Sequence, residues 1–339
     1  MLEYLNKLCL LDGISGREDK VREFIISEIS GKCDYTVDPM GNVLAYKKGR
    51  KEPKNRLMLS AHMDEVGFIV TYICDNGYLK FTNVGGVDSR IIVGRAVSVG
   101  ETKINGIVGC KAIHLCDEAE SKTTPKISEL YIDIGASSAE EAKKYVSVGD
   151  SVYFKSDFKQ FGNNKIKAKA IDDRFGCAVM LKLINEELEY GMHFAFLVQE
   201  EVGCRGAAPA VFTVRPDYAI VLEATTASDI SGVAEKDCVC QLGKGAVVSF
   251  MDRSTVYNYN MFRRAFEIAS EKDILIQPKT TVAGGNDAGA IHKACSGVYT
   301  IAVSLPCRYI HSGTCVACTD DMQSCYELVK ALSEEYLNA

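Results

Sequence analysis

The chain has 339 residues, with 39 Lys plus Arg against 45 Asp plus Glu, a net charge of −6, and 47% hydrophobic and 25% charged residues. That composition is ordinary for a folded globular protein and excludes low-complexity disorder and collagen-like repeats. The acidic balance supplies no phosphate-binding field, so nucleic acid is not expected as a partner.

No apolar run reaches the roughly 18–20 residues needed to span a bilayer, so no membrane association is expected. The N-terminal MLEYLNKLCLLDG carries Glu3 early and repeats its apolar residues at helical spacing. It lacks a basic n-region and a small-residue cleavage site, so no signal peptide is read. A cytoplasmic chain with fourteen cysteines is expected to keep them reduced. Cys9 in KLCLL and Cys177 in FGCAVML read as small buried hydrophobes. Single cores stop growing near ~250–300 residues, so two domains are expected.

Residues 1–66 read as helix, helix, strand. Ser15-x-x-Glu18 has the form of a capping box ahead of a helix with Val21, Phe24, Ile25 and Ile29 on one face. LMLSA at 57–61 has the pattern of a strand buried on both faces. From 67 to 165 short apolar or alternating runs are split by Gly and polar turns, which predicts a β-rich unit with one short helix in SSAEEAKKYV. KQFGNNKIK is its turn-rich exit.

From 168 an α/β rhythm returns. RFGCAVMLKLINEELEY predicts a helix closed by Gly191, and HFAFLVQ and YAIVLEA predict strands. NYNMFRRAFEIASEKD predicts a helix, followed by a short strand at 274–276 and another in VYTIAVSL. The last helix is expected to start at Thr319 as N-cap, with Asp320 and Asp321 favourable against its dipole. The expected architecture is α/β: a mostly parallel sheet flanked by helices on both faces, made from 1–66 plus 166–339, with 67–165 inserted as a small β-rich domain.

Five polar clusters end apolar strands, where ligands bind in open α/β sheets. His62-x-Asp64 is a His with a nearby carboxylate, a frequent metal-ligand pairing. Asp172-Asp173 opens a helix; helix capping accounts for one of the two more easily than for both. Glu200-Glu201 follows HFAFLVQ, and its two side chains should diverge. Glu223 ends YAIVLEA, where a lone carboxylate is costly. His311 follows VYTIAVSLP. Nitrogen and oxygen donors of this mix suit zinc, cobalt or manganese better than calcium or magnesium. A pair of ions about 3.5–4 Å apart requires a bridging carboxylate.

HMDEVGF, AIDDRFG, QEEVGCRGA, the carboxylate ending YAIVL, and RYIHS follow one another in the order found in the TET-type metalloaminopeptidases, the forty-second metallopeptidase family, which includes glutamyl aminopeptidases. The sequence resembles that family over nearly its whole length. The resemblance implies two divalent ions per chain, one on His62 and Glu223, the other on Glu201 and His311, with Asp172 bridging. It implies Glu200 as general acid/base, Asp64 as the group orienting His62, and a cis peptide between Asp172 and Asp173. GGNDAGAIH resembles the family's GG-x-D-A segment, implying substrate-binding roles for Gly284, Gly285 and Asp287. It also implies peptide substrates with a free N-terminus, and a homododecamer whose dimers form through the inserted domain.

Two departures stand out. Glu223 replaces the Asp of many relatives, and Cys315 falls where many have Glu. Cys315-x-x-Cys318 could pair in metal or redox chemistry, but a single such pair reads by default as buried thiols. Three other readings remain open from the residues alone: a dinuclear carboxypeptidase or N-acyl-amino-acid deacylase, a glycosidase acting through two carboxylates without metal, and a non-catalytic assembly protein.

Overall fold

Alternation sorts the side chains of the central strands between two helical layers. In LMLSAH, Leu57, Leu59 and Ala61 face one layer and Met58 faces the other, so all six residues are buried. The computed structural model describes residues 1–339.

In chain order the first segment contains α1 (Leu2–Leu10), α2 (Asp19–Ile29), β1 (Asp34–Val37), β2 (Val43–Lys47) and β3 (Leu57–His62). The insert contains β4 (Gly67–Ile73), β5 (Leu79–Val84), β6 (Ala96–Val99), β7 (Ile104–Gly109), α3 (Glu118–Ser121), β8 (Tyr131–Asp133), α4 (Ala139–Ala142) and β9 (Ser151–Phe154). Next come β10 (Lys159–Phe161), β11 (Lys165–Ala168), α5 (Ile171–Ile184), β12 (Met192–Leu197), α6 (Ala207–Val214) and β13 (Tyr218–Thr226). The chain ends with β14 (Ala246–Val248), α7 (Tyr259–Glu271), β15 (Ile276–Pro278), α8 (Ala288–Ile291), β16 (Tyr299–Arg308), β17 (Cys315–Cys318) and α9 (Thr319–Asn338).

The main sheet runs β1-β2-β12-β3-β13-β16-β17-β11-β10, with β14 and β15 joined at β16. Its centre, β12-β3-β13-β16, is parallel. Both flanks are antiparallel. The sheet is therefore mixed rather than mostly parallel. Short links such as those joining β1 to β2 and β10 to β11 can only reverse the chain, whereas helical crossovers return it in parallel. Helices α1, α2, α5, α7 and α9 bury their apolar residues on one face, and α6 and α8 on the other.

The insert closes as a six-stranded barrel, β4-β5-β8-β7-β6-β9, around its own apolar core. Its last strand ends at Phe154, and KQFGNNKIK forms the β10–β11 hairpin of the main sheet, so the barrel stops short of residue 165.

Several local expectations shift. DYTV and VLAYK form a hairpin in a stretch read without strands. The capping box does not form: α2 has Glu18 as its N-cap with no side-chain cap, because Ser15 Oγ donates to Asp64 and Glu18 accepts from the backbone N–H groups of Gly16 and Gln199. Helix α5 ends at Ile184, well before Gly191. Strand β15 lies two residues later than expected. Cys318, not Thr319, is the N-cap of α9, and Asp321 accepts from the backbone of Gly243 and Gly245 at 2.7 Å each. Cys315 and Cys318 stand three residues apart on β17, which directs them to opposite faces of the strand.

Gly245 is needed where β14 meets β15. Its φ is +85°, and a Cβ there would lie 1.8 Å from the Leu275 carbonyl oxygen. Gly245→Ala is expected to cost more than about 1 kcal/mol, read as a lower melting temperature.

Candidate metal centre

The parallel strands bring their carboxyl ends to one edge of the sheet. His62 ends β3 and pairs in register with Leu197, the last residue of β12, so Glu200 and Glu201 follow at the same level. Glu223 lies within β13, which continues to Thr226 beside Cys307 of β16, and His311 follows that strand. Asp172 arrives from the far side at the start of α5.

Of the two adjacent aspartates, one serves the helix and one faces the site. Asp173 Oδ1 accepts from the Gly176 N–H at 3.0 Å and Oδ2 from the His62 N–H at 3.3 Å. Asp172 places Oδ1 3.3 Å from His62 Nε2 and Oδ2 3.3 Å from His311 Nε2. The peptide between the two aspartates is cis. His62 Nε2 also lies 3.5 Å from Glu223 Oε1, and His311 Nε2 lies 3.2 Å from Glu201 Oε2.

The opposite ring nitrogens are fixed. His62 Nδ1 lies 3.1 Å from the Asp64 carbonyl and 3.4 Å from its Oδ1. His311 Nδ1 lies 2.8 Å from the carbonyl of Gly86, contributed by the insert. Protons on both Nδ1 atoms direct both Nε2 lone pairs inward. Asp64 itself accepts from Ser15 Oγ at 2.6 Å, from the Glu200 N–H at 3.0 Å and from the Glu201 N–H at 3.1 Å. One buried carboxylate thus orients the first histidine and the Glu200-Glu201 turn together.

A further ionic group braces the approach to Asp172. Arg174, fully buried, donates to the carbonyls of Leu8, Leu11 and Gly13, and Lys169 donates to the Leu11 carbonyl and pairs with Glu65 at 2.5 Å. Backbone strain concentrates nearby: Ala170, Gln199, Cys204, Tyr309 and His311 hold left-handed φ of 53–58° without being glycine. Such conformations cost about 1–3 kcal/mol each and persist where surrounding structure imposes them.

The electrostatics are those of a site that needs cations. Burial pushes Glu201 and Glu223 well above the usual carboxylate range, reinforced by the neighbouring charge of Asp172. Burial opposes ionisation of Asp172 too, but hydrogen bonds from His311 and His62 hold it far below that range. Burial disfavours a charged His311, yet Asp172 and Glu201 raise it to about 10. Without ions, the imidazoles themselves become the counter-charges.

The donor set fits divalent metal. Ligands about 2.0–2.1 Å from one tetrahedral ion stand roughly 3.3–3.4 Å apart, and the four imidazole–carboxylate separations are 3.2–3.5 Å. The ligand atoms of His62, Asp172 and Glu201 lie within 4.8 Å of one another, as do those of His62, Asp173 and Glu223. Asp173 is the weaker candidate, since both its oxygens already accept backbone N–H groups.

These groups open onto a cavity of about 140 Å³, whose wall includes Glu200, Thr226, Val239, Lys279, Gly284 and Gly285. Asp287 is buried behind that wall, where burial and Glu200 raise its pKa well above normal. Sequence reading missed Ser15, whose local pattern suggested a helix cap. It missed the Gly86 carbonyl and Lys279, which carry no signal in their own neighbourhoods. It also missed Cys204, whose thiol donates to Glu200 Oε1 at 3.5 Å.

The model of the M42 glutamyl aminopeptidase family matches residues 41–328. A putative aminopeptidase of Acetivibrio thermocellus is 38% identical over 332 residues, covering 97% of both chains. The solved aminopeptidase of the archaeon Desulfurococcus kamchatkensis superposes with a TM-score of 0.93 at 33% identity, over 99% of this chain and 96% of that one. The TET1 peptidase of Pyrococcus horikoshii, which can assemble into a tetrahedron or a large octahedral shell, gives 0.86 at 35% identity over 98% of each chain. These likenesses do not favour the deacylase, carboxypeptidase, glycosidase or non-catalytic readings. The chain belongs to the M42 glutamyl aminopeptidase family and is a metal-dependent aminopeptidase, a hydrolase acting on peptide bonds.

Proposed function

We propose that the site holds two divalent ions, one on His62 and Glu223, the other on His311 and Glu201, with Asp172 shared between them. The observation that carries this reading is the seating of one carboxylate between two imidazoles, an oxygen 3.3 Å from each Nε2. The nitrogen and oxygen donors suit zinc, cobalt or manganese. Ions bound there would lower the pKa of a shared water from 15.7 towards about 7 and polarise the substrate carbonyl.

The remaining steps belong to the chain. Glu200 lies on the cavity wall, and burial followed by the charges of Asp172 and Asp64 raises its pKa, as a proton carrier working near neutrality requires. It takes the water's proton and delivers it to the leaving amine. Asp64 holds His62 and the Glu200 backbone in register. Gly284 and Gly285 leave backbone open to the substrate, with Asp287 behind them. Substrates are peptides with a free N-terminus.

Assembly follows the same reading. The insert exposes Tyr72, Ile107, Ile113, Leu115, Tyr145 and Val148, apolar surface suited to a partner barrel. Dimers form through residues 67–165 and build a dodecamer of the kind its tetrahedral relative forms. No helix is long and apolar enough to cross a membrane, and the fourteen cysteines suit a reducing, cytoplasmic setting.

The test uses aminoacyl p-nitroanilides and short peptides, free or N-acetylated, on protein stripped by chelator and reloaded with zinc, cobalt or manganese. Free-amine substrates should be cut only after reloading, and acetylated ones not at all. Equal cleavage of acetylated peptides would overturn the N-terminal requirement.

A further inference from the structure

The two groups proposed for the second ion, His311 and Glu201, share a neighbour that those of the first ion lack. Strand β5 ends at Val84, and Gly85 and Gly86 then carry the insert to the edge of the metal centre. The Gly86 carbonyl lies 2.8 Å from His311 Nδ1. Apart from the carboxylates of Asp172 and Glu201, it is the one polar partner of that imidazole. Gly85 lies against the other ligand: a Cβ there would stand 3.2 Å from Glu201 Cβ and 2.8 Å from Val66 Cγ1. Its φ is +79°, a conformation glycine adopts without steric cost. The exposed Asn83 side chain donates to the Gly85 carbonyl at 2.6 Å and fixes the turn.

The first ion's ligands are held from within the main sheet. His62 Nδ1 meets the Asp64 carbonyl, and Glu223 Oε1 accepts from the Ala224 N–H at 3.1 Å. The His62 side chain is 1% exposed and that of His311 35%, so the second histidine has less packing to hold its ring. The insert also meets the His311 loop at a second point, where a Cβ on Gly313 would stand 3.2 Å from Phe154 Cβ of β9. We infer that Gly85 and Gly86 are positioning residues for the second ion alone, so that the insert completes one half of the metal centre and leaves the other half independent of it. This rests on the two-ion reading. Partners that orient metal ligands from behind are typically worth ten- to a hundredfold in metal affinity.

The experiment titrates metal-free, full-length wild type, Gly85→Ala and Asn83→Ala with manganese. Equilibrium dialysis counts bound ion per chain, and turnover of a free-amine p-nitroanilide is followed along the same titration. In Gly85→Ala the dissociation constant of one ion should rise by about ten- to a hundredfold and that of the other should not change. Asn83→Ala alters no ligand and keeps both glycines, so it serves even if Gly85→Ala does not fold; it should weaken the same ion by about two- to tenfold. Turnover lost at low manganese should return at high manganese, a rescue that general loosening of the fold would not give. In a His311→Ala background, Gly85→Ala should leave the affinity of the remaining ion unchanged, which assigns the weakened ion to His311. Equal weakening of both ions would overturn the inference, as would unchanged affinities in the variants that fold or an effect that persists without His311. A wild type that binds a single ion would instead overturn the two-ion reading, and the inference with it.

Discussion

Glu200→Gln should lower turnover of a free-amine substrate by about 10²–10⁴-fold, the contribution expected of a positioned acid/base. The amide keeps the side chain's size but accepts no proton at working pH. KM should change little. Metal content should not change, because the carboxylates that face the two imidazoles are Asp172, Glu201 and Glu223. The Glu200 backbone bond to Asp64 also survives the substitution, so the turn should hold its shape. Steady-state kinetics beside metal analysis by mass spectrometry separate the two effects. A variant with near wild-type turnover would remove Glu200 from proton transfer.

Asp172→Asn should abolish activity for a different reason. Each oxygen of Asp172 faces one imidazole, and an amide replaces one of them with a nitrogen that donates rather than ligates. The variant should retain at most one ion per chain after dialysis in micromolar metal, and hydrolysis should fall to background. Circular dichroism should report an intact fold, since the side chain of Asp173, not that of Asp172, accepts from the helix N–H of Gly176. Retention of two ions with activity lost would show that Asp172 is not the shared ligand.

Much of this centre was legible because each proposed ligand or acid follows, or stands near the end of, an apolar strand. Parallel register then brings those ends level, as the pairing of His62 with Leu197 does for the first cluster and the third. Adjacent aspartates could not be told apart by pattern; backbone N–H groups of His62 and Gly176 separate them. Ser15 met every local requirement of a helix cap, but a buried carboxylate 49 residues away is the stronger acceptor. Glu223 lies mid-strand because β13 runs on beside β16 to Thr226, a length set by the neighbouring strand. The antiparallel flanks depend on which strand each short hairpin finds as its neighbour, and pairing partners leave no mark on local alternation. Lys279 sits in QPKTT, which reads as a surface turn until β14 and β15 carry it to the cavity wall.

In the proposed centre, five side chains from His62 to His311 hold a pair of ions with Asp172 between them. Stoichiometric loading tests it most directly: metal-free protein is titrated with manganese, and bound ion is counted per chain while electron paramagnetic resonance follows coupling between ions. Two ions per chain, with an exchange-coupled signal that is lost together with one ion in His311→Ala, is the predicted result. A single ion per chain, or two that show no coupling and are indifferent to His311, would contradict it.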